Sequence, residues 1–193
     1  MDNKIFCLET EWEQSVYDLT HDSQARPMLK FLKSSNHIDY IFRQVATKAD
    51  FDYYISHLKQ AAYKNYSIVY LCFHGLKGLI AFADSRAKSD NGNYNLMDFA
   101  EDNPNIFENK VVHFSSCKTL NMNKEEIADF KKQTGALMVT GYECSVEITG
   151  SFIFEAWLLN TLYKHPDFRA KRMLDIAQKE MPYFVDKYKF VAY

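Results

Sequence analysis

Ser67-Ile68-Val69-Tyr70-Leu71-Cys72-Phe73-His74-Gly75 is the stretch that decides the fold. Its first seven residues are β-formers with little alternation of polar and apolar. That is how a strand covered on both faces of a parallel sheet reads, and it ends abruptly at His74-Gly75. A second run of the same kind, Lys110-Val111-Val112-His113-Phe114-Ser115-Ser116, ends at Cys117. In parallel α/β sheets functional groups gather at the carboxyl ends of the strands. The rule selects His74 and Cys117.

Outward from these runs, strands and helices alternate. Lys4 to Leu8 reads as a first strand and Ile38 to Val45 as a second. Residues 24–35 read as a helix, with Pro27 tolerable in its first turn and Met28, Leu29, Phe31 and Leu32 on its apolar side. Thr47 to Lys64 reads as one helix capped by Thr47, with Phe51, Tyr54, Ile55 and Leu58 on a single stripe. Beyond His74-Gly75, Gly78 to Phe82 is a short apolar piece. Asp84 to Asn93, polar and rich in turn residues, suits a hairpin or loop. Leu96 to Ala100 suggests a short helix. Asn123-Lys124-Glu125-Glu126 opens another as a capping-box analogue, and Gly135 closes it. Ala136 to Thr140 is a further strand, leading into Gly141-Tyr142. Residues 151–163 are apolar almost all round, which predicts a buried helix. The last helix begins near Pro166-Asp167 and is interrupted at Pro182. The alternation predicts right-handed crossovers and an α/β fold with a mostly parallel central sheet and helices on both faces. No repeat or Pro/Gly-rich linker intervenes, so residues 1–193 read as a single domain.

Composition narrows the function classes. Hydrophobic residues make up 47% of the 193 and aromatics 16%, which predicts a packed core and no need of a disulfide or metal staple. A formal charge of −2 leaves no basic stripe for nucleic acid and no polybasic segment for a membrane. The first residues lack the long apolar run of a signal peptide, and no stretch approaches a membrane span. The expected location is the cytoplasm. Cys7, Cys72, Cys117 and Cys144 form no C-x-x-C pair and sit at no zinc-finger spacing, so free thiols and no cofactor or metal are expected.

A cysteine nucleophile needs a thiolate, a nearby proton acceptor and N–H groups to hold the developing oxyanion. Histidine suits the second role because its pKa lies near the working pH. If the strands ending at His74 and Cys117 are neighbours, about 5 Å separates them. Gly75, lacking a Cβ, lets a substrate backbone come close. The N–H groups of Gly75 and Cys117 are the candidate oxyanion hole. Glu143, Glu147 and Asp84 are candidate substrate-binding residues, and an acid there would favour a basic side chain at P1. His113, inside its strand, reads as a packed or hydrogen-bonded core residue. His21, His37, His57 and His165 read as solvated, and Cys7 and Cys72 as core.

The pattern of an apolar strand, His74-Gly75, an intervening hairpin, a second apolar strand and Ser116-Cys117 resembles the caspase-like cysteine peptidases. The spacing of the two residues is of the same order as the roughly 50 found in caspases. The likeness is nearest to the CHAT branch, where a short strand like Gly78–Phe82 follows the His-Gly. There too a small helix like Leu96–Ala100 precedes the cysteine strand, and a strand leading into Gly-Tyr, like Val139-Thr140-Gly141-Tyr142, comes before an apolar helix. It covers residues 65–165 well and the first 60 in outline. It implies a three-layer caspase-like sandwich in which His74 is general base and acid and Cys117 attacks the peptide carbonyl. A protein or peptide substrate follows, and family analogy adds a bacterial effector switched on by a protein partner. The Gln-Ala-Cys-x-Gly signature of true caspases is absent, so Asp specificity is not implied.

Two other readings stand beside the peptidase. One is a catalytically silent caspase-like module that binds proteins. The other is a flavodoxin-, receiver- or TIR-like domain, which would want a phosphate loop or an acidic cluster after the first strand. Glu9, Glu11 and Glu13 supply acid there, but no Gly-rich loop follows any strand.

Overall fold

The computed structural model describes residues 3–12, 22–82 and 92–193. In chain order the elements are β1 (Ile5–Thr10), α1 (Ala25–Asn36), β2 (Tyr40–Val45), α2 (Lys48–Ser56), β3 (Ile68–Cys72), β4 (His74–Leu76), β5 (Leu79–Ala81) and β6 (Asn93–Asn95). Then follow α3 (Leu96–Asp102), β7 (Val111–Ser115), α4 (Lys124–Thr134), β8 (Met138–Tyr142), α5 (Ile148–Lys164), α6 (Ala170–Glu180), α7 (Pro182–Tyr188) and β9 (Phe190–Ala192).

A six-stranded sheet in the order β2-β1-β3-β7-β8-β9 forms the centre. Its first five strands are parallel and β9 is antiparallel to β8. The fold is α/β, as the alternation of the two buried runs with helices predicts. A small antiparallel sheet, β4-β5-β6, carries the His74 hairpin.

The period-two alternation of side chains divides the interior in two. Phe6, Leu8, Val69, Leu71, Val112, Phe114 and Val139 point to one face, against Phe51 and Ile55 of α2, Phe99 of α3 and Phe130 of α4. Ile5, Cys7, Ile68, Tyr70, Cys72, Met138 and Tyr142 point to the other, against Met28 and Leu29 of α1, Phe154 and Leu158 of α5 and Met173 of α6. Both cores bury strands that show little polar alternation in sequence.

Local chemistry explains the element ends. Thr47 and Asn123 each form a reciprocal capping box, with Asp50 and Glu126. Gly135 ends α4 with φ 73°, a left-handed turn suited to glycine. The single helix expected over 47–64 stops at Ser56 and continues as two 3-10 turns, His57–Lys59 and Ala61–Tyr63. There the Ser56 hydroxyl and the His57 ring both take the Tyr53 carbonyl, at 2.7 and 2.9 Å, competing with the helix for that acceptor. The strand expected over 136–140 is shifted to Met138–Tyr142 and includes Gly141 and Tyr142. The final helix begins at Ala170, not near Pro166, and the short edge strand β9 follows α7. Among the described residues no helix is long and apolar enough to cross a membrane.

Candidate active site

β3 and β7 are hydrogen-bonded neighbours, with Cys72 paired to Ser115. His74 and Cys117 therefore each stand two residues beyond a matched pair, on strands about 5 Å apart. The Phe73 N–H donates to the Ser115 carbonyl at 3.3 Å and keeps the two exits together. His74 then opens the exposed strand β4, and Cys117 opens a tight turn.

That turn is tied on three sides. The Ser116 hydroxyl donates to Thr119 Oγ1 at 2.7 Å, and the Thr119 hydroxyl donates to the Leu79 carbonyl at 3.0 Å. The N–H of Gly78 reaches the Thr119 carbonyl, and that of Lys118 the Cys144 carbonyl, both at 3.0 Å. Lys118 takes a left-handed φ of 60°, sparse for a residue with a side chain. Gly75 lies flat against this turn. A Cβ there would meet Thr119 Oγ1 at 2.2 Å and the Cys117 carbonyl oxygen at 2.5 Å, so only glycine fits without a shift of the turn.

A cleft of about 750 Å³ opens at this point, between the face of the sheet bearing Cys72 and the helices α1 and α5. Both His74 and Cys117 line it, together with Trp12, Cys72, Val146 and Glu155. Leu76 and Ile148, 57% and 62% exposed, form apolar parts of its lining that also reach solvent.

The Cys117 sulfur is held by main chain. It accepts the Val146 N–H at 3.4 Å, and its S–H donates to the Val146 carbonyl at 3.7 Å. Burial pushes Cys7 up and Cys72 well up, so both stay protonated, although Cys72 lines the cleft. Cys144, half-buried, is also raised by burial, and its sulfur contacts the carbonyls of Ser145 and Lys187.

Beneath the mouth, Glu155 is 2% exposed and gathers neutral donors. Tyr70 donates a short hydrogen bond to Oε2, and Tyr142 donates to Oε1 at 2.9 Å. Burial drives both phenols well above their ordinary value, which keeps them donors. His113 lies in the same network, 3.4 Å from Glu155 Oε1 and 2.9 Å from Thr140 Oγ1. It is a hydrogen-bonded core histidine, as its place inside the strand predicts.

At the exit of β1, Glu9 is fully buried. Its Oε1 takes the Gln24 and Ala25 N–H groups at 2.8 and 2.9 Å, satisfying the start of α1 from outside the helix. The Ser23 hydroxyl donates a short bond to the other oxygen. The Trp12 indole N–H donates to Oε1 at 2.7 Å, and its ring stands 4.9 Å from the His74 imidazole at 84°.

The structure thus brings His74, Gly75 and Cys117 together at one cleft. Glu143 and Glu147 do not line it. Glu147 is exposed and bonds Lys187 Nζ at 2.7 Å and the Tyr188 hydroxyl at 3.2 Å. The Lys187 bond lowers the carboxyl and raises the ammonium. Asp84, with most of the expected 84–93 loop, and His21 lie outside the described residues. Sequence reasoning passed over Trp12, Glu155 and Val146, and weighed Glu9 only as part of an acidic cluster after the first strand. Glu155 carried a signal, a lone acid in a helix otherwise apolar around it; Val146 carried none, because its contribution is backbone.

A family model described as a family of unknown function (DUF6642) matches residues 2–170. No curated protein matches the chain.

Proposed function

This chain belongs to the DUF6642 family, and we propose that it is a cysteine endopeptidase using a His74–Cys117 dyad. The observation that carries the reading is the common cleft: two adjacent parallel strands deliver an imidazole and a thiol to one mouth. His74 takes the Cys117 proton, the thiolate adds to the peptide carbonyl, and the oxyanion faces the N–H groups of Gly75 and Cys117. The imidazolium returns its proton to the leaving amine, and a water activated by His74 then frees the acyl group. The two helical layers around a mostly parallel sheet support a three-layer caspase-like sandwich. Four free thiols suit a reducing cytoplasm.

A second reading, the silent binding module, draws on the hold that Val146 has on the sulfur. The same contact fits an enzyme at rest, awaiting a protein partner that moves residues 143–147.

Two measurements test the proposal. Fluorogenic peptides with Arg, Leu or Asp at P1 are incubated with the wild type and with Cys117→Ala; cleavage is expected only from the wild type. Activity that survives the substitution ends the peptidase reading. Separately, iodoacetamide is expected to alkylate Cys117 at least about 10-fold faster than the half-buried Cys144, as an activated thiolate should. Equal rates, with no cleavage, assign the silent module.

A further inference from the structure

We propose that Trp12 is a positioning residue for His74, anchored by Glu9, so that the exit of β1 sets the orientation of the base. The proposal rests on the peptidase reading above. His74 begins a three-residue strand at the edge of the small sheet and is exposed. A base on so short an element has side-chain torsions that the strand alone does not fix. A productive site needs its groups held to about 0.5 Å and 10–20°.

A ring from the exit of β1 adds a fixing contact. The indole of Trp12 meets the imidazole at 4.9 Å and 84°, the perpendicular arrangement that aromatic quadrupoles favour. Trp12 is in turn held by its bond to Glu9. Glu9 is immobilised by Ser23, Gln24 and Ala25 at the start of α1 and by its own place in a fully buried strand. A rigid origin, a stiff two-torsion side chain and the imidazole thus form one line. None of these residues touches the reacting atoms; they act through His74.

The test reads Cys117 directly, by iodoacetamide alkylation at pH 7 followed by peptide mass spectrometry. Cys144 serves as the internal reference and Trp157→Phe as a control for losing the other tryptophan. His74→Ala is expected to slow Cys117 about 10-fold or more. Trp12→Leu is expected to slow it about 3- to 10-fold, the range an aromatic pair supplies. Trp12→Phe, which keeps a ring beside the imidazole but loses the bond to Glu9, is expected to recover at most part of that loss. Cys144 should keep its rate throughout. Should the leucine variant not fold, Trp12→Met, of similar volume but unbranched and more adaptable in shape, takes its place. Wild-type Cys117 reactivity in Trp12→Leu overturns the proposal, as does a phenylalanine variant as fast as the wild type, which would leave the Glu9 anchor without a role. A parallel change at Cys144 overturns it too, because that marks a loosened fold. If His74→Ala itself leaves Cys117 unchanged, the dyad fails, which is a separate result from failure at Trp12 alone.

Discussion

The position a Cβ would take on Gly75 lies 2.5 Å from the carbonyl oxygen of Cys117. Gly75 and Cys117 are therefore in steric register, one main chain resting on the other. Gly75→Ala should force the 116–119 turn outward, costing about 1–3 kcal/mol as overpacking does. Its selective mark is loss of the fast alkylation of Cys117 while Cys144 is unaffected. A variant that melts and alkylates like the wild type would show the fit to be slack.

Glu155 gives a stability prediction. Leucine in its place would leave Tyr70, Tyr142 and His113 without their shared acceptor in the core. The expected loss is about 2–6 kcal/mol, because each of the two phenol donors left unpaired in the core costs about 1–3 kcal/mol. Glu155→Gln keeps an acceptor oxygen and should lose less. Urea denaturation of the two variants checks the order, and a leucine variant as stable as glutamine contradicts it.

The capping box at Asn123 offers a calibration far from the cleft. Asn123→Ala removes the acceptor for the Glu126 N–H, a 2.8 Å bond, and should cost about 1 kcal/mol. In a chain of this size that lowers Tm by about 2–4 °C. Alkylation of Cys117 should not change.

Lys110 carries a pH prediction. It is 5% exposed, and burial pulls its ammonium below the ordinary lysine value, with Glu108 only partly opposing. The unfolded chain thus holds the proton more tightly, and stability rises with pH as the folded lysine lets its proton go. The cost is fully present below the folded pKa and fades as pH climbs toward 10.5. Lys110→Met should stabilise the protein at pH 7 by about 1 kcal/mol, and the advantage should shrink as pH rises toward 10.5. Thermal melts across that range decide it; an advantage that grows with pH contradicts the sign.

The parts of the fold legible in sequence are those fixed by local pattern. The buried runs at Ile68 and Val111, and the caps at Thr47 and Asn123, need no partner to be recognised. Strand β9 was not legible, because three residues after a left-handed Lys189 carry too little pattern. The break at Ser56 depends on two side chains reaching one carbonyl, which periodicity does not register. In the site, His74 and Cys117 stood out because each ends a strand. Glu9 and Trp12 did not, because their meaning arises when β1 is laid beside β3 and α1 returns to cover them. The acids favoured in sequence, Glu143 and Glu147, flank a segment whose cleft-facing member is Val146.

The clasp on the Cys117 sulfur is made by a peptide unit, and this has a genetic consequence. Every side chain at position 146 except proline's supplies the same amide and the same carbonyl, so an alanine scan would pass over the contact in silence. Only a residue without an N–H, or a displacement of the whole 143–147 segment from its berth beside Lys187 and Lys189, would release the thiol. The wall of the cleft at Val146 can therefore be recut to suit a different guest while the grip on the sulfur persists.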